Sequence, residues 1–289
     1  MSSNWVSSNM NDYNIFHIFA FDIIQYYNPN AKIIYINESH IDKNNPCQQW
    51  RFFVMNKLYP DIKIHFVNDT TYTPGIKTYG GYDCWQFIKY PIDNHILNIV
   101  NKINSKSKGQ YILLNQRGIN NREIYDNESN LPLQDYLLKK KFKYPFKYCN
   151  FEQMTPIEQY EICSEAAIFI TAHGAGCTNS IFTPIECPLI EINLRTHWYC
   201  DMVCDDHFFN KIGVNEKCNG KLNYKNYFHK ADYHNLCYLI GKKYTEIIPI
   251  KYGGKFTSRN PISKQQIFID GNNLTKIIDE FSILNYLNN

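Results

Sequence analysis

Neither a membrane-spanning run nor a signal-peptide pattern is recognisable in this sequence. No apolar run approaches the roughly 20 residues that a helix needs to cross a bilayer. The first ten residues, MSSNWVSSNM, are mostly polar and carry no signal-peptide pattern. We therefore expect a cytoplasmic protein. A chain trimmed of an N-terminal anchor would read the same way, which leaves the secretory lumen open as an alternative.

The sequence also lacks a surplus of charge and an ordered set of cysteines. Its 30 lysines and arginines are balanced by 27 aspartates and glutamates, for a net charge of +3, which is too small for a nucleic-acid-binding footprint. The ten cysteines are scattered without the spacing of a disulfide framework. These absences predict no nucleic-acid partner and mostly reduced thiols.

The composition that remains is that of a globular protein. Hydrophobic residues make up 44% and charged residues 20% of the 289, enough for a large core and one or two domains. The small, polar stretch Ser105–Gly109 is the best candidate for a linker. The expected plan is a disordered lead over 1–12, domains over 13–104 and 105–271, an insertion in the second domain at 196–232, and a C-terminal helix over 272–289.

Apolar strands alternate with helices on both sides of this linker. The pattern predicts strands at 31–37, 62–68, 111–117, 145–150, 167–171, 189–194 and 244–248, with helices at 48–59, 131–142 and 155–166. Such alternation is typical of α/β proteins with a parallel, doubly wound sheet, which bind ligands at the carboxyl ends of the strands. Four polar residues lie at or just after predicted strand ends: Gln116, Arg117, His173 and Glu191.

A glycine loop, His173–Gly176, lies between two of these strands. Its glycines can take positive φ and let a ligand approach the backbone closely. A short helix over about 176–182 would aim free N–H groups and a positive dipole end at the loop, which suits a phosphate. By itself, a short glycine pair is more typical of a plain strand-to-helix turn.

Charged side chains elsewhere suit the same chemistry. The guanidinium groups of Arg117 and Arg122 can bind phosphate oxygens through forks of N–H donors without a metal ion. Glu191 could accept hydrogen bonds from ribose hydroxyls. An apolar stretch over 14–27 predicts a buried helix, on which His17 and Asp22 are candidates for a general base.

Four segments, in the same order along the chain, resemble glycosyltransferase family 61. The most specific is His173-Gly174-Ala175-Gly176-Cys177-Thr178-Asn179, followed by Phe182, Pro184 and Ile190-Glu191-Ile192. The other three are Gln116-Arg117 with Arg122, Ile124 and Asn127; Asn14 with His17 and Asp22; and Leu239-Ile240-Gly241-Lys242-Lys243-Tyr244. The family includes EGF-domain O-GlcNAc transferases, O-mannose N-acetylglucosaminyltransferases and plant xylosyl- and arabinosyltransferases. Cys177 departs from the leucine that is usual there.

This resemblance implies a GT-B architecture, in which two Rossmann-like domains hold a nucleotide-sugar in the cleft between them. It implies an inverting transfer, from UDP-linked GlcNAc or a pentose, to a hydroxyl of a glycan or glycoprotein. The domain at 13–104 would face the acceptor, and Asp22 or His17 would supply the catalytic base. The donor would be bound by residues of the two central segments: Gln116, Arg117, Arg122, His173, Gly174, Ala175, Gly176, Thr178, Asn179 and Glu191.

No metal or other cofactor is expected. The sequence contains no Asp-x-Asp, the usual carboxylate pair for a metal-bound diphosphate, and Arg117 and Arg122 could take over its role. Zinc-ligand residue types do occur together, at His197, Cys200, Cys204 and His207. Four ligands on one short helix cannot close a tetrahedron around one ion, so their spacing is interpreted as an ordinary helix stripe.

Two other functions fit the same residues. One is a catalytically inactive relative that binds a glycan or a nucleotide as a scaffold or lectin-like module. The intact Arg117, glycine loop and Glu191 argue against such decay. The other is a nucleotide-sugar epimerase of GT-B architecture, which would release a free, altered sugar.

Overall fold

A computed structural model describes most of the chain between residue 101 and the C-terminus and parts of the region before it. The described residues are 2–3, 33–37, 46–61, 63–67, 101–118, 122–192, 233, 237, 240–253 and 266–287. The chain divides into two compact units, Met1–Asn104 with Met154–Tyr160, and Ser105–Gln153 with Glu161–Asn289. The domain plan given above stays a prediction.

The first unit contains a three-stranded parallel sheet. Its elements are β1 (Ser2–Ser3), β2 (Ile33–Asn37), α1 (Pro46–Leu58) and β3 (Lys63–Val67), with β2 in the middle of the sheet. Trp50 and Val54 of α1 are fully buried. The predicted strands at 31–37 and 62–68 and the helix at 48–59 are thus confirmed. Ser2 and Ser3 belong to the stretch that we predict to be a disordered lead, and the rest of that stretch lies outside the described residues.

The second unit is built on a five-stranded, fully parallel sheet. Its strands are β4 (Tyr111–Asn115), β6 (Phe146–Cys149), β7 (Ala166–Ala172), β8 (Leu189–Ile192) and β9 (Tyr244–Ile247). Every residue of β4, β7 and β8 is buried, as expected for parallel strands that are covered on both faces. The predicted α/β class with a parallel central sheet is confirmed.

The order of this sheet, β6-β4-β7-β8-β9, places a topological switch point between β4 and β7. The chain leaves β4 toward β6 on one side and later returns to β7 on the other side. Loops that follow two such strands diverge, and the crevice between them is where open α/β sheets bind ligands. The segments after β4 and β7 begin with Gln116 and His173, two of the predicted site residues.

Helices fill the connections, and one begins as its sequence predicts. Helix α3 (Pro156–Ser164) follows a capping box in which Glu158 accepts the backbone N–H of Thr155 at 2.7 Å and the Thr155 hydroxyl accepts the Glu158 N–H at 3.4 Å. Helices α2 (Leu133–Leu138) and α4 (Gly271–Leu287) belong to the second unit. Helix α4 begins one residue before the predicted C-terminal helix, and α2 is shorter than the predicted 131–142.

A second, smaller sheet was not predicted. Strand β11 (Ile267–Ile269) pairs in parallel with β5 (Ile124–Asp126) and antiparallel with β10 (Lys251–Tyr252). Strands of two or three residues are too short to show periodicity in the sequence. Ile124, Ile267 and Ile269 pack in the same core as α2 and α4.

Asp126 ties this small sheet to the start of α4. Its carboxylate accepts the N–H and hydroxyl of Ser129 at 2.7 and 2.6 Å and the N–H of Gly271 at 3.0 Å. Burial acts to raise the pKa of this carboxyl group, but the hydrogen bonds outweigh burial and hold the pKa below its ordinary value of 3.8.

An Asp126→Asn substitution is expected to destabilise the fold by about 1–3 kcal/mol at pH 7, because the amide offers one acceptor oxygen where the carboxylate has two. Because the pKa of Asp126 is lower in the folded than in the unfolded state, its ionised carboxylate stabilises the fold above the unfolded pKa. This stabilisation is lost as the pH falls through the folded pKa. The difference between wild type and variant should therefore shrink below about pH 4. The free energies of unfolding in urea at pH 7 and pH 3 give this difference. Asp279→Asn, at an exposed position, serves as control.

Candidate active site

The carboxyl ends of β4 and β7 are joined by a buried hydrogen bond. Asn115 Nδ2 donates to Thr171 Oγ1 at 2.9 Å, and Asn115 Oδ1 accepts the backbone N–H of Phe151 at 3.2 Å. A Cβ atom at Gly176 would lie 2.6 Å from Asn115 Nδ2 and 3.1 Å from Thr171 Oγ1, so only glycine fits there. Asn115 thus connects the ends of β4 and β7 with the segment after β6.

The two predicted arginines meet beside Gly174. This residue has φ 132° and ψ −162°, a conformation that is essentially restricted to glycine. A Cβ atom there would clash with Arg122 Nη1 and lie 3.8 Å from Arg117 Nη1. Arg122 Nη1 also donates to the carbonyl oxygen of His173. The segments after β4 and β7 therefore place two guanidinium groups against one glycine.

Arg122 is a strained and poorly compensated cation. Its φ of 59° lies in the left-handed region, which is unusual for a non-glycine residue. Its Nε atom is buried and has no hydrogen-bond partner among the described residues. Burial and, secondly, the nearby charge of Arg117 lower the pKa of Arg122 to about 10. An anion placed between the two guanidiniums would relieve this repulsion.

Arg117 is held by Glu152. Its Nε and Nη2 atoms contact the same carboxylate oxygen, Glu152 Oε1, at 3.0 and 2.7 Å. Glu152 belongs to a short 3-10 helix, Phe151–Gln153, that directly follows β6. Glu152 contacts the edge of the guanidinium that carries Nε and Nη2 (the side edge), whereas Nη1 lies toward Gly174.

Gln116 is a buried structural residue in this arrangement. Its backbone N–H donates to Cys149 O at 2.8 Å and its Nε2 donates to Ile124 O at 3.2 Å. Only 6% of the residue is exposed. Gln116 therefore connects the end of β4 with β6 and β5, and a direct contact with a ligand stays a prediction.

Glu191 is occupied by protein partners. One carboxylate oxygen contacts His173 Nδ1, and the other accepts the hydroxyl of Tyr244 at 2.7 Å. The Tyr244 hydroxyl also lies 3.0 Å from Glu246 Oε1. Burial and the Glu191 carboxylate raise the pKa of Tyr244, so its hydroxyl stays protonated and donates. With 3% exposure, Glu191 orients His173 in this structure, and the ribose contact we expected stays a prediction.

A short helix follows the glycine loop close to the predicted 176–182, and it is of the 3-10 type. Ala175–Ile181 form a seven-residue 3-10 helix in which the Cys177 N–H donates to Gly174 O at 2.9 Å. Thr178 and Asn179 are each 1% exposed. Their side chains are buried, and their contact with a donor stays a prediction.

Lys242 supports the same region from the late motif. It is buried, and its ammonium group donates to Thr183 Oγ1 at 2.9 Å and to the carbonyl oxygen of Pro184. Burial lowers its pKa. The motifs around Pro184 and Lys242, far apart in sequence, are therefore in contact.

Several predicted features lie outside the described residues: His17, Asp22, the insertion at 196–232, and with it His197, Cys200, Cys204 and His207. Within the described ranges, no group of three His, Cys, Asp or Glu side chains is arranged to hold a metal ion. The described cysteines are free thiols: Cys149, Cys163, Cys177, Cys187 and Cys237. No helix in this part of the chain is long and apolar enough to cross a membrane.

Comparison with protein families is decisive for the class of protein. The family model described as Glycosyltransferase 61 matches residues 31–190, more than half of the chain. The chain belongs to glycosyltransferase family 61. It is therefore a glycosyltransferase, and membership implies a nucleotide-sugar donor and a glycan acceptor. No curated protein matches the chain.

The family 61 match covers both arginines and the whole glycine loop. It begins after His17 and Asp22 and ends one residue before Glu191. Asn115, Thr171 and Glu152 were not predicted as site residues. Asn115 and Thr171 could have been found in the sequence, because each is a polar residue near the carboxyl end of a strand that is otherwise apolar. Glu152 had no local signal, because only its contact with Arg117 reveals its place.

Proposed function

We propose that this family 61 enzyme is an inverting transferase that uses a nucleoside-diphosphate sugar, with UDP-linked GlcNAc or a UDP-pentose as donor. The acceptor is a hydroxyl of a glycan or a protein. The observation that carries the proposal is the pair Arg117 and Arg122 beside Gly174 at the switch point of the parallel sheet. A diphosphate matches both the charge and the fork geometry of two guanidinium groups.

The reaction step follows from this placement. A base takes the proton of the acceptor hydroxyl while its oxygen forms a bond to the anomeric carbon. The bond from that carbon to the diphosphate oxygen breaks on the opposite face, and the electron pair leaves with the diphosphate. Arg117 and Arg122 stabilise the negative charge as it develops, which is the role of a preorganised electrostatic site. The step requires no metal ion.

The base is assigned to Asp22 or His17, in a GT-B arrangement of two Rossmann-like domains. This part of the proposal rests on the resemblance of the N-terminal segment to the family. The donor site itself is assigned to the second unit, because the loops after β4 and β7 both belong to it.

UDP and UDP-sugars are expected to raise the melting temperature of the protein by several degrees at about 100 times their dissociation constants. Uridine, which lacks phosphates, should give a much smaller shift. Incubation with donor and a panel of glycans, followed by NMR of the product, tests inversion, and EDTA tests metal independence. Glycan binding without nucleotide binding would indicate an inactive binding module. Release of a free, altered sugar would indicate an epimerase.

A further inference from the structure

We propose that Glu152 is a positioning residue that holds the Arg117 guanidinium in the orientation that binds the donor diphosphate. The inference rests on the proposed function and extends it to a residue outside the predicted site. It starts from the contacts of Glu152 Oε1 with Nε at 3.0 Å and Nη2 at 2.7 Å. A hydrogen bond from Nε and a close ion-pair contact from Nη2 to the same oxygen restrict the rotation of the guanidinium.

The orientation matters because a guanidinium has two usable edges. Glu152 takes the side edge, formed by Nε and Nη2. Nη1 belongs to the end edge, and it lies 3.8 Å from the position that a Cβ of Gly174 would occupy. An anion above Gly174 would therefore meet the end edge of Arg117. A free arginine has many rotamers, and holding one in advance lowers the cost of binding.

Glu152 is itself held by the site. Its N–H donates to Asn150 Oδ1 at 3.0 Å, and the neighbouring Phe151 N–H donates to Asn115 Oδ1 at 3.2 Å. The same Asn115 bonds to Thr171 below the glycine loop. The backbone from which the Glu152 side chain projects is thus held by the strand ends that form the crevice.

The Glu152 carboxylate also lowers the affinity for an anionic ligand. Its negative charge lies near both guanidiniums, and it partly neutralises the cations that would bind a diphosphate. Orientation and charge act in opposite directions on affinity. The two contributions can be separated, because glutamine keeps the acceptor oxygen and removes the charge, whereas alanine removes both.

The test is calorimetric binding of UDP to the full chain. Because both variants lack the charge, Glu152→Ala is expected to bind UDP about 3- to 10-fold more weakly than Glu152→Gln, and Glu152→Gln about 2- to 5-fold more tightly than the wild type. Glu280→Gln removes the same charge from an exposed position on α4 and serves as control, and melting temperatures verify folding. Uridine binding should be the same in all variants.

The outcomes separate the two proposals. Equal tightening by both variants would make Glu152 a simple competitor of the diphosphate, and equal weakening by both would make the charge itself essential. Either result, or unchanged affinity in both, overturns the positioning role. Failure of the wild-type protein to bind UDP would instead overturn the proposed function.

Discussion

An Arg122→Gln variant is expected to lose about 100- to 1,000-fold in kcat for sugar transfer, the usual cost of removing one preorganised group that stabilises developing charge. Arg122 is the better probe of the two arginines, because its Nη1 is held on the carbonyl of His173 and its Nε has no partner in the described part of the chain. Glutamine retains a side-chain N–H donor but lacks the charge and the fork.

The fold of this variant should survive. A buried cation beside another cation is a burden on stability, so the melting temperature of Arg122→Gln is expected to equal or exceed that of the wild type. Arg122→Lys should remain impaired, since an ammonium group cannot reproduce the fork. Lys141→Gln, an exposed site, controls for the loss of one charge. Steady-state kinetics with near-normal kcat in Arg122→Gln would remove this residue from the site.

Substitution of Gly174 by alanine is expected to have the second large effect. The backbone conformation at φ 132° and ψ −162° disfavours any side chain by about 1–3 kcal/mol. The added methyl group would also overlap with Arg122 Nη1, and the guanidinium would have to leave its place. We expect UDP affinity and kcat each to fall at least about 10-fold, the effect of misplacing one charged group by about an ångström.

Gly241 offers a matched control for this substitution. It also has a positive φ, 72°, but a Cβ atom there would meet nothing within 4 Å. Gly241→Ala should therefore destabilise the fold without altering UDP affinity. Calorimetric titration of both variants separates backbone strain from damage to the site. Normal UDP affinity in Gly174→Ala would contradict the placement of the diphosphate above this loop.

The sequence predicted most of the large elements and the position of the loop. Strands such as β4 and β7 are recognisable because every residue of a strand in a covered parallel sheet is apolar or nearly so. The start of α3 was recognisable because its capping box spans four consecutive residues. In local patterns of this kind, the residues that cause the structure lie within a few positions of one another in the sequence. Strand β5 has only three residues and is too short to show a recognisable pattern.

The glycine loop and the arginine-bearing segment were therefore determined by the sequence alone, including their place at strand ends and their family. The tertiary structure decided which partners these residues have. Strand order brought Arg122 to Gly174, β6 brought Glu152 to Arg117, and β9 brought Tyr244 to Glu191. These partners are far apart along the chain, and their contacts depend on sheet order and register. Neither is encoded in local propensity, because both are set by the packing of the whole unit.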